Sequence, residues 1–331
     1  MLPASSRVDW VTYASTMAVV ALAGGVGAGK FLRGLVRVVP PEDVTVVVNT
    51  GDDLNLHGLH VSPDLDSVLY WLAGVADRDR GWGRAQESFR ARDELARIGG
   101  EAWFALGDLD LATHLFRAHL LSEGRTLTEV TEALGGAFGV RTRLLPMSND
   151  PVATRIQAVD LSGTALDLHF QEYWVARGGR DEVKGVGYAG ASSARPAPGA
   201  LEAIAEADAV LICPSNPVAS IAPILAVSGM AEAVRGRRDR VSGVSPIVAG
   251  APLRGMADRL MPAAGLDVSA YGAASAYRGL ASAFLIDERD AGLGPRIEAE
   301  LGMRVATTDT IMVDDEVAER VARAALSLVG P

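Results

Sequence analysis

The sequence predicts a Rossmann-like α/β fold, with a doubly wound and mostly parallel sheet, and two observations near its start carry this prediction. The first is the run Ala18–Ala23, which is apolar throughout. A run without polar alternation is typical of a parallel strand buried on both faces. The second is a glycine turn, a predicted helix over Lys30–Val38 and another apolar strand over Val44–Asn49. A strand, a helix and a second strand in this order open a doubly wound sheet.

The rest of the chain continues this alternation with one interruption. Residues 75–145 predict a mainly helical insertion. Residues 177–198, rich in Gly, Ser and Pro, predict a flexible loop over a site or, equally, a plain surface loop. Further strands are expected at Thr154–Val159, Ala165–Phe170, Ala209–Ile212, Val241–Val248, Phe284–Ile286 and Arg304–Thr307. Helices are expected at 64–75, 85–98, 108–135 with a break at Gly124, and 314–328.

Composition places the chain among globular enzymes. Of its 331 residues 49% are hydrophobic and 22% charged, which suits a sizeable core rather than general disorder. The net charge of −10 argues against an extensive nucleic-acid surface. The single cysteine, Cys213, excludes an internal disulfide and a cysteine metal cluster. No apolar run approaches the length of a membrane span, and residues 1–16 do not resemble a signal peptide. We therefore expect a disordered extension at 1–16, one α/β domain over 17–331, and a cytoplasmic protein.

The glycine turn almost fits a phosphate-binding P-loop. Gly24 through Lys30 match G-x-x-x-x-G-K, but Phe31 stands where that loop has the Ser or Thr that ligates Mg²⁺. Backbone N–H groups at Gly25 and Gly27, together with Lys30, remain suited to a phosphate at a helix N-terminus. A metal ion would have to be held from elsewhere in the chain.

Acidic residues follow the second predicted strand and open the next helix. Mg²⁺ is usually held by one or two carboxylates, with water and substrate phosphates as the other ligands. Asp52 and Asp66 are the expected pair, as metal ligands and as catalytic residues. For Asp53 a turn role, and for Asp64 a helix N-cap role, are equally good interpretations.

Polar residues also follow two later strands. Pro214-Ser215-Asn216-Pro217 and Ser245-Pro246 place hydroxyl and amide groups where a phosphate, a ribose or a base edge could bind, although a simple turn is the alternative. His114 lies near a predicted helix N-terminus, and a surface histidine is its simpler interpretation. The aromatic residues of Phe170–Trp174 could stack on a flat ring or pack in the core.

Taken in order, these motifs resemble the 2-phospho-L-lactate transferase family of coenzyme F(420) biosynthesis. The resemblance runs from about residue 18 to about 328. The motifs that carry it are Gly24-Gly25-x-Gly27, Asn49-Thr50-Gly51-Asp52-Asp53, the Ser62–Tyr70 segment, Leu106-Gly107-Asp108, Ala112-Thr113-His114, Leu145–Asp150, Phe170–Val175, Pro214–Ile221, Val244–Ile247 and Asp309–Met312.

The resemblance implies transfer of a phospholactyl or phosphoenolpyruvyl group from its guanosine diphosphate adduct to the ribityl hydroxyl of the deazaflavin Fo, with release of GMP. It places Asp66 at the Fo site, and Asp52 or Asp66 would help to take the hydroxyl proton. Mg²⁺ is the implied cofactor, a homodimer the implied assembly, and 3-phosphoglycerate a third donor acid. The residues expected at the guanine nucleotide are Gly25, Gly27, Lys30, Ser215, Asn216 and Ser245.

The chain departs from archaeal relatives at one position, where Ala105 replaces a basic residue before Leu-Gly-Asp, so the resemblance does not carry an Fo contact over to that position. Gly51-Asp52-Asp53 and Leu253–Asp258 look more bacterial. Two other functions stay open. One is a kinase or nucleotidyltransferase on the same sheet, and the other is a regulatory protein that binds a nucleotide or nucleotide sugar without turnover.

Overall fold

A computed structural model describes residues 17–330, so the extension expected at 1–16 lies outside the described residues. The strands are β1 (Val19–Ala23), β2 (Val44–Val48), β3 (Leu54–Leu56), β4 (Leu59–Val61), β5 (Arg143–Pro146), β6 (Ala153–Val159), β7 (Ala165–His169), β8 (Glu182–Ala189), β9 (Ala209–Ile212), β10 (Val241–Val244), β11 (Ile247–Val248), β12 (Ala251–Pro252), β13 (Ala283–Asp287) and β14 (Arg304–Thr308). The α-helices are α1 (Gly25–Val38), α2 (Pro63–Ala73), α3 (Arg90–Arg97), α4 (Asp108–Ser122), α5 (Leu127–Ala137), α6 (Ala200–Glu206), α7 (Ala222–Ala226), α8 (Met230–Gly236), α9 (Ala257–Ala263), α10 (Ala270–Ser275), α11 (Gly294–Leu301) and α12 (Asp315–Ser327).

Seven strands form one parallel sheet in the order β14-β13-β10-β9-β1-β2-β5. The chain builds it from β1 through β2 to β5, then returns to the other side of β1 and continues through β9, β10, β13 and β14. At this reversal Val19 pairs with Val44 on one side and with Ala209 on the other. The predicted doubly wound, Rossmann-like sheet is confirmed.

The apolar run of β1 is explained by burial on both faces. Val20 and Leu22 pack in a layer that includes side chains of α6 to α11. Val19, Ala21 and Ala23 pack in the opposite layer, with side chains of α1, α2, α5 and α12. A strand in this position needs apolar side chains at every residue, which is why its sequence does not alternate.

Helix α1 begins at Gly25, five residues before the predicted start, so the glycine turn is its first turn. Gly24 is the N-cap residue, so no side chain caps the helix, and the first turn of α1 contains no acidic residue. The N–H group of Gly25 bonds the Asp64 carboxylate, and the N–H groups that follow it in the first turn are available to an anion. Phe31 is completely buried in the layer beneath α1. The residue that breaks the P-loop pattern is thus a core residue.

The segment between α2 and β5 contains α3, α4 and α5, and Gly124 separates the last two with a φ of +85°. Only Arg90–Arg97 of the helix expected at 85–98 is helical, and none of its residues is buried. This part of the chain carries α4, which positions several side chains of the candidate site.

The prediction of a loop over 177–198 is wrong for its central part. Strand β8 occupies Glu182–Ala189 and pairs antiparallel with β6, which also pairs with β7. Tyr188 of β8 donates its hydroxyl proton to the carbonyl of Val218, 2.6 Å away. Pairing with β6 overrides the weak strand propensity of Lys184-Gly185-Val186-Gly187.

Ser245-Pro246 divides the strand expected at Val241–Val248 into β10 and β11. Among residues 17–330 no single helix has the length and apolar composition of a membrane span, although the bent pair Pro217–Ala226 and Met230–Gly236 meets both criteria together.

Candidate active site

The candidate site lies at the carboxyl ends of β1, β2 and β9, beside the point where the strand order reverses. In doubly wound sheets ligands bind at this position. Two cavities of about 310 and 600 Å³ open there. They are separate cavities that adjoin each other, and seven residues line both of them. These shared residues are Gly25, Val26, Asp52, Asp64, Trp174, Arg254 and Gly255.

The smaller cavity gathers every residue that the sequence placed at the nucleotide. Gly25, at a φ of +73°, and Gly27 present the first turn of α1 to it. A Cβ at Gly27 would lie 2.2 Å from the carbonyl oxygen of Pro214, so only glycine allows β9 and α1 to approach this closely. The remaining predicted nucleotide residues on its wall are Lys30, Ser215, Asn216 and Ser245.

The polar side chains of two of these turns are engaged within the protein. Ser215 Oγ donates to the carbonyl of Gly24 at 2.8 Å, and Ser245 Oγ donates to that of Ile247 at 2.9 Å. Asn216 Oδ1 accepts from the N–H groups of Val218 and Ala219. These side chains hold the shape of the cavity wall, as the alternative interpretation of a turn required.

Lys30 and Arg254 are the two cationic residues among residues 17–330 that line the smaller cavity. Lys30 Nζ donates to the carbonyl of Met312 at 3.3 Å and lies 5.7 Å from the centre of the Trp71 ring. Burial, followed by the positive charges of Arg254 and Arg78, lowers the pKa of Lys30. Within the described part of the chain it forms no ion pair with a carboxylate, so an anionic ligand would stabilise its charged form.

Asp52 and Asp64 form a buried acidic pair where the two cavities meet. Burial raises the pKa of Asp52 well above its usual range, and the charge of Asp64 raises it further. Burial raises the pKa of Asp64 to about 7, against a hydrogen bond of 2.9 Å that its Oδ2 accepts from Asn49. Asp52 Oδ1 is buried and has no partner among the described residues. Two carboxylates with an unpartnered oxygen fit a divalent cation, whose charge would favour the ionised form of both.

Asp64 does not cap α2, because Ser62 occupies the N-cap position and Asp64 is the second helical residue. Its carboxylate instead turns toward the glycine turn, where a Cβ at Gly24 would lie 2.4 Å from Asp64 Oδ2. Asp53 has a structural position in the turn. Its Oδ2 accepts from Ser62 Oγ at 2.7 Å and contacts His60 Nε2 at 2.9 Å.

Asp66 lines only the larger cavity and is paired with a buried arginine. Arg117 donates from Nη1 to Asp66 Oδ2 at 3.1 Å and from Nη2 to Asp66 Oδ1. Ligand atoms of Asp66, Asp110 and His114 lie within 4.8 Å of one another, a possible metal-binding group. In this group the Arg117 guanidinium already contacts Asp66 and His114. Asp52 at the junction differs from Asp66, because one of its carboxylate oxygens has no partner among the described residues.

His114 was expected on the surface, and this prediction is wrong because its side chain is 1% exposed. It lies on α4 between Asp110 and Arg117, and the spacing of four and three residues places all three on one face of the helix. That spacing is the signal by which the sequence could have identified Arg117 as part of the site.

Aromatic side chains form much of the larger cavity. Trp174 contacts Phe170 with ring centroids 5.4 Å apart and is 38% exposed. Phe170 itself is buried in the core. The core-packing interpretation is confirmed for Phe170, and stacking of Trp174 on a flat ring stays a prediction. The other aromatic residues on this wall are Tyr70, Trp82 and Phe104.

Comparison with known proteins gives the family and the fold of this chain. The family described as "2-phospho-L-lactate transferase CofD" matches residues 19–324. A phosphoenolpyruvate transferase of Streptomyces griseus is 46% identical over 314 residues, covering 94% of this chain and 98% of the relative. A 2-phospho-L-lactate transferase of Methanosarcina acetivorans is 42% identical, covering 93% and 97%. A crystal structure of a UPF0052-family protein from Bacillus halodurans shares the fold, with a TM-score of 0.62 at 18% identity over 94% of this chain and 99% of that one. The chain belongs to the 2-phospho-L-lactate transferase CofD family, as its ordered motifs predicted.

Proposed function

We propose that the chain transfers a phosphoenolpyruvyl group from a guanosine diphosphate adduct to the terminal ribityl hydroxyl of the deazaflavin Fo, in coenzyme F(420) biosynthesis. The hydroxyl oxygen attacks the phosphorus that bears the enolpyruvyl group and forms a phosphodiester, and the hydroxyl proton passes to Asp52, which lines both cavities. The bond between that phosphorus and the oxygen of the GMP moiety breaks, and GMP leaves with the bonding electrons. Phosphoenolpyruvate is preferred as the acid because the Streptomyces griseus relative carries that name.

One observation carries the proposal: two cavities of different chemistry meet at Asp52 and Asp64. The smaller one offers backbone N–H groups and Lys30, which suit phosphates. The larger one has aromatic walls, which suit a flat ring. A phosphorus atom at the shared wall would face both a nucleotide and a ring-bearing acceptor. Phosphoryl transfer depends chiefly on such positioning and on charge neutralisation.

Asp52 and Asp64 are the residues that would hold Mg²⁺, and the ion would supply positive charge against the diphosphate. The unpartnered oxygen of Asp52 supports this assignment. Lys30 would neutralise charge on the leaving GMP. Asp66 was the second ligand predicted from the sequence, and we assign it instead to the inner wall of the larger cavity, where both of its oxygens accept from Arg117.

The test is a coupled assay with the purified chain, Fo, Mg²⁺, GTP and an active guanylyltransferase, with phosphoenolpyruvate and 2-phospho-L-lactate offered in parallel. Mass spectrometry should detect an Fo phosphodiester, formed faster from phosphoenolpyruvate. A product from 2-phospho-L-lactate alone would correct the acid. No product from either acid would contradict the proposed transferase.

Two variants separate the acidic pair from general charge effects. Asp52→Asn should raise the Mg²⁺ concentration needed for half-maximal rate at least tenfold, because it removes one carboxylate ligand. Asp239→Asn is the matched control, since its side chain is 94% exposed. An unchanged metal titration in Asp52→Asn would place the ion elsewhere. The homodimer implied by the family is a separate proposal, which light scattering would test.

A further inference from the structure

A donor and an acceptor of hydrogen bonds lie side by side at the inner wall of the larger cavity, on α4. The donor is His114 and the acceptor is Asp110, and both line the cavity. One turn further along the same face, Arg117 is buried behind them with 1% exposure. The three residues are 110, 114 and 117, so they share one helix face.

Arg117 determines which nitrogen of His114 carries the proton. Its Nη1 lies 3.0 Å from His114 Nδ1. A guanidinium has only donors, so Nδ1 must accept this bond and hold no proton of its own. The histidine is therefore the neutral tautomer with its hydrogen on Nε2.

That Nε2–H group has no hydrogen-bond partner within residues 17–330, although it is buried. Asp110 Oδ1 is 3.4 Å from Nε2 and already accepts the Tyr70 hydroxyl at 2.7 Å. A buried N–H group without a partner is costly, and such groups are rare in folded proteins. The structure thus contains an oriented donor that a ligand in the cavity would satisfy.

The carboxylate of Asp110 provides a hydrogen-bond acceptor beside the His114 donor. The side chain of Asp110 is 12% exposed, toward the cavity. Its Oδ1 accepts the Tyr70 hydroxyl at 2.7 Å. Asp110 therefore acts as a hydrogen-bond acceptor on the cavity wall. A donor next to an acceptor matches a carbonyl next to a ring N–H.

We propose that His114 and Asp110 recognise the lactam edge of a flat heteroaromatic acceptor, with His114 Nε2–H donating to its carbonyl and Asp110 accepting from its ring N–H. Arg117 is the positioning residue that fixes the His114 tautomer. The inference rests on the proposed function only in taking the larger cavity as the acceptor cavity. The aromatic rings of Trp82, Phe104 and Trp174 on its walls suit the faces of such a ligand.

The first test is the affinity for Fo, read by fluorescence titration of the full chain without donor. His114→Phe should weaken binding by roughly tenfold or more, because the donor is lost. His114→Gln keeps an N–H group and should recover much of the affinity. His119→Gln is the matched control, since this histidine lies on the same helix and is 65% exposed. Equal affinity of His114→Phe and the unmodified chain overturns the role of His114.

The second probe is Fo methylated at the lactam nitrogen. The unmodified chain should bind it roughly tenfold more weakly than Fo, since Asp110 loses its donor. Equal affinities overturn the role of Asp110. A chain that binds Fo with this preference but forms no phosphodiester supports the inference and contradicts the proposed function, so the two failures are distinguishable.

The tautomer is tested without any ligand. Nitrogen-15 NMR of histidine-labelled chain should show His114 with a protonated Nε2 and an unprotonated Nδ1. Arg117→Met should abolish that preference or convert it to a mixture, a change that loss of stability alone would not produce. A proton on Nδ1 in the unmodified chain overturns the inference.

Discussion

At the scale of single residues, Arg117 and Asp66 form the pair on which the larger cavity depends. Arg117 has the largest of the fully buried side chains in the described part of the chain. Its charge is balanced by Asp66, 51 positions earlier in the sequence. Its Nη1 also lies 3.3 Å from the carbonyl of His60, so it links α4 to the β3–β4 hairpin. One ion pair thus joins the helical insertion to the central fold.

Asp66→Asn should destabilise the fold as well as slow turnover, because it leaves the buried guanidinium uncompensated. Loss of one partner of a buried pair costs about 3–5 kcal/mol. Denaturant unfolding would measure this cost. Asp167→Asn is the control, since Asp167 is 64% exposed in its pair with Arg155 and surface pairs contribute about 0–1 kcal/mol. Equal unfolding midpoints for the two variants would show that Arg117 does not need Asp66.

Gly27→Ala should reduce both stability and nucleotide binding, because its methyl group would meet the Pro214 carbonyl. The strand and the helix would have to separate, and the phosphate-binding turn would distort. Gly136→Ala is the control. No atom lies within 4 Å of a Cβ built there, so this change in α5 should be neutral or stabilising by up to about 1 kcal/mol. Thermal unfolding and GDP titration would measure both effects. Native GDP affinity in Gly27→Ala would contradict the role of this close approach.

At the scale of elements, the sequence predicted correctly the elements that their own residues determine, and it missed those that depend on distant parts of the chain. Strand β1 and helix α1 are determined by their own residues, because a run buried on both faces must be apolar throughout. Strand β8 could not be predicted, because its stability comes from β6, about 30 residues earlier. The N-terminal position of His114 on α4 was visible in the sequence, but its burial beside Asp66 and Arg117 was not.

Helix α5 provides a test of local stabilisation. Thr126 is its N-cap and forms a capping box with Glu129, in which each side chain bonds the backbone N–H of the other residue. Thr126→Ala should lower the free energy of unfolding by about 1 kcal/mol without changing turnover. Glu132→Ala, at an exposed position of the same helix, should have a much smaller effect. A lower rate in Thr126→Ala would show that α5 contributes to the site.

At the scale of the whole molecule, the sheet assembles the site from loops that are far apart in sequence. The glycine turn, Asp52 and the Ser215 turn follow three neighbouring strands. The doubly wound topology made their convergence predictable. The division into two cavities was not predictable, because it depends on Trp174 and Arg254, which reach the junction from segments outside the sheet. The partnership of Asp52 with Asp64 likewise required the packing of α2.

Mg²⁺ should stabilise the whole molecule, because its charge would offset that of the Asp52–Asp64 pair. A ligand that binds only the folded state at 100 times its dissociation constant adds about 2.7 kcal/mol. Thermal unfolding with and without Mg²⁺ would measure the shift, and chelator should reverse it. In Asp52→Asn the shift should be much smaller. An equal shift in both proteins would indicate that the ion binds at another place.

The shared wall between the cavities has a consequence for kinetics. Because the two cavities adjoin and most of the residues that line them differ, both substrates can be bound at once, and no product needs to leave before the second substrate enters. The steady-state pattern should therefore be that of a ternary complex, with intersecting double-reciprocal lines, and not the parallel lines of a ping-pong sequence. Fo and a non-reactive guanine nucleotide should each bind the free chain, in either order of addition.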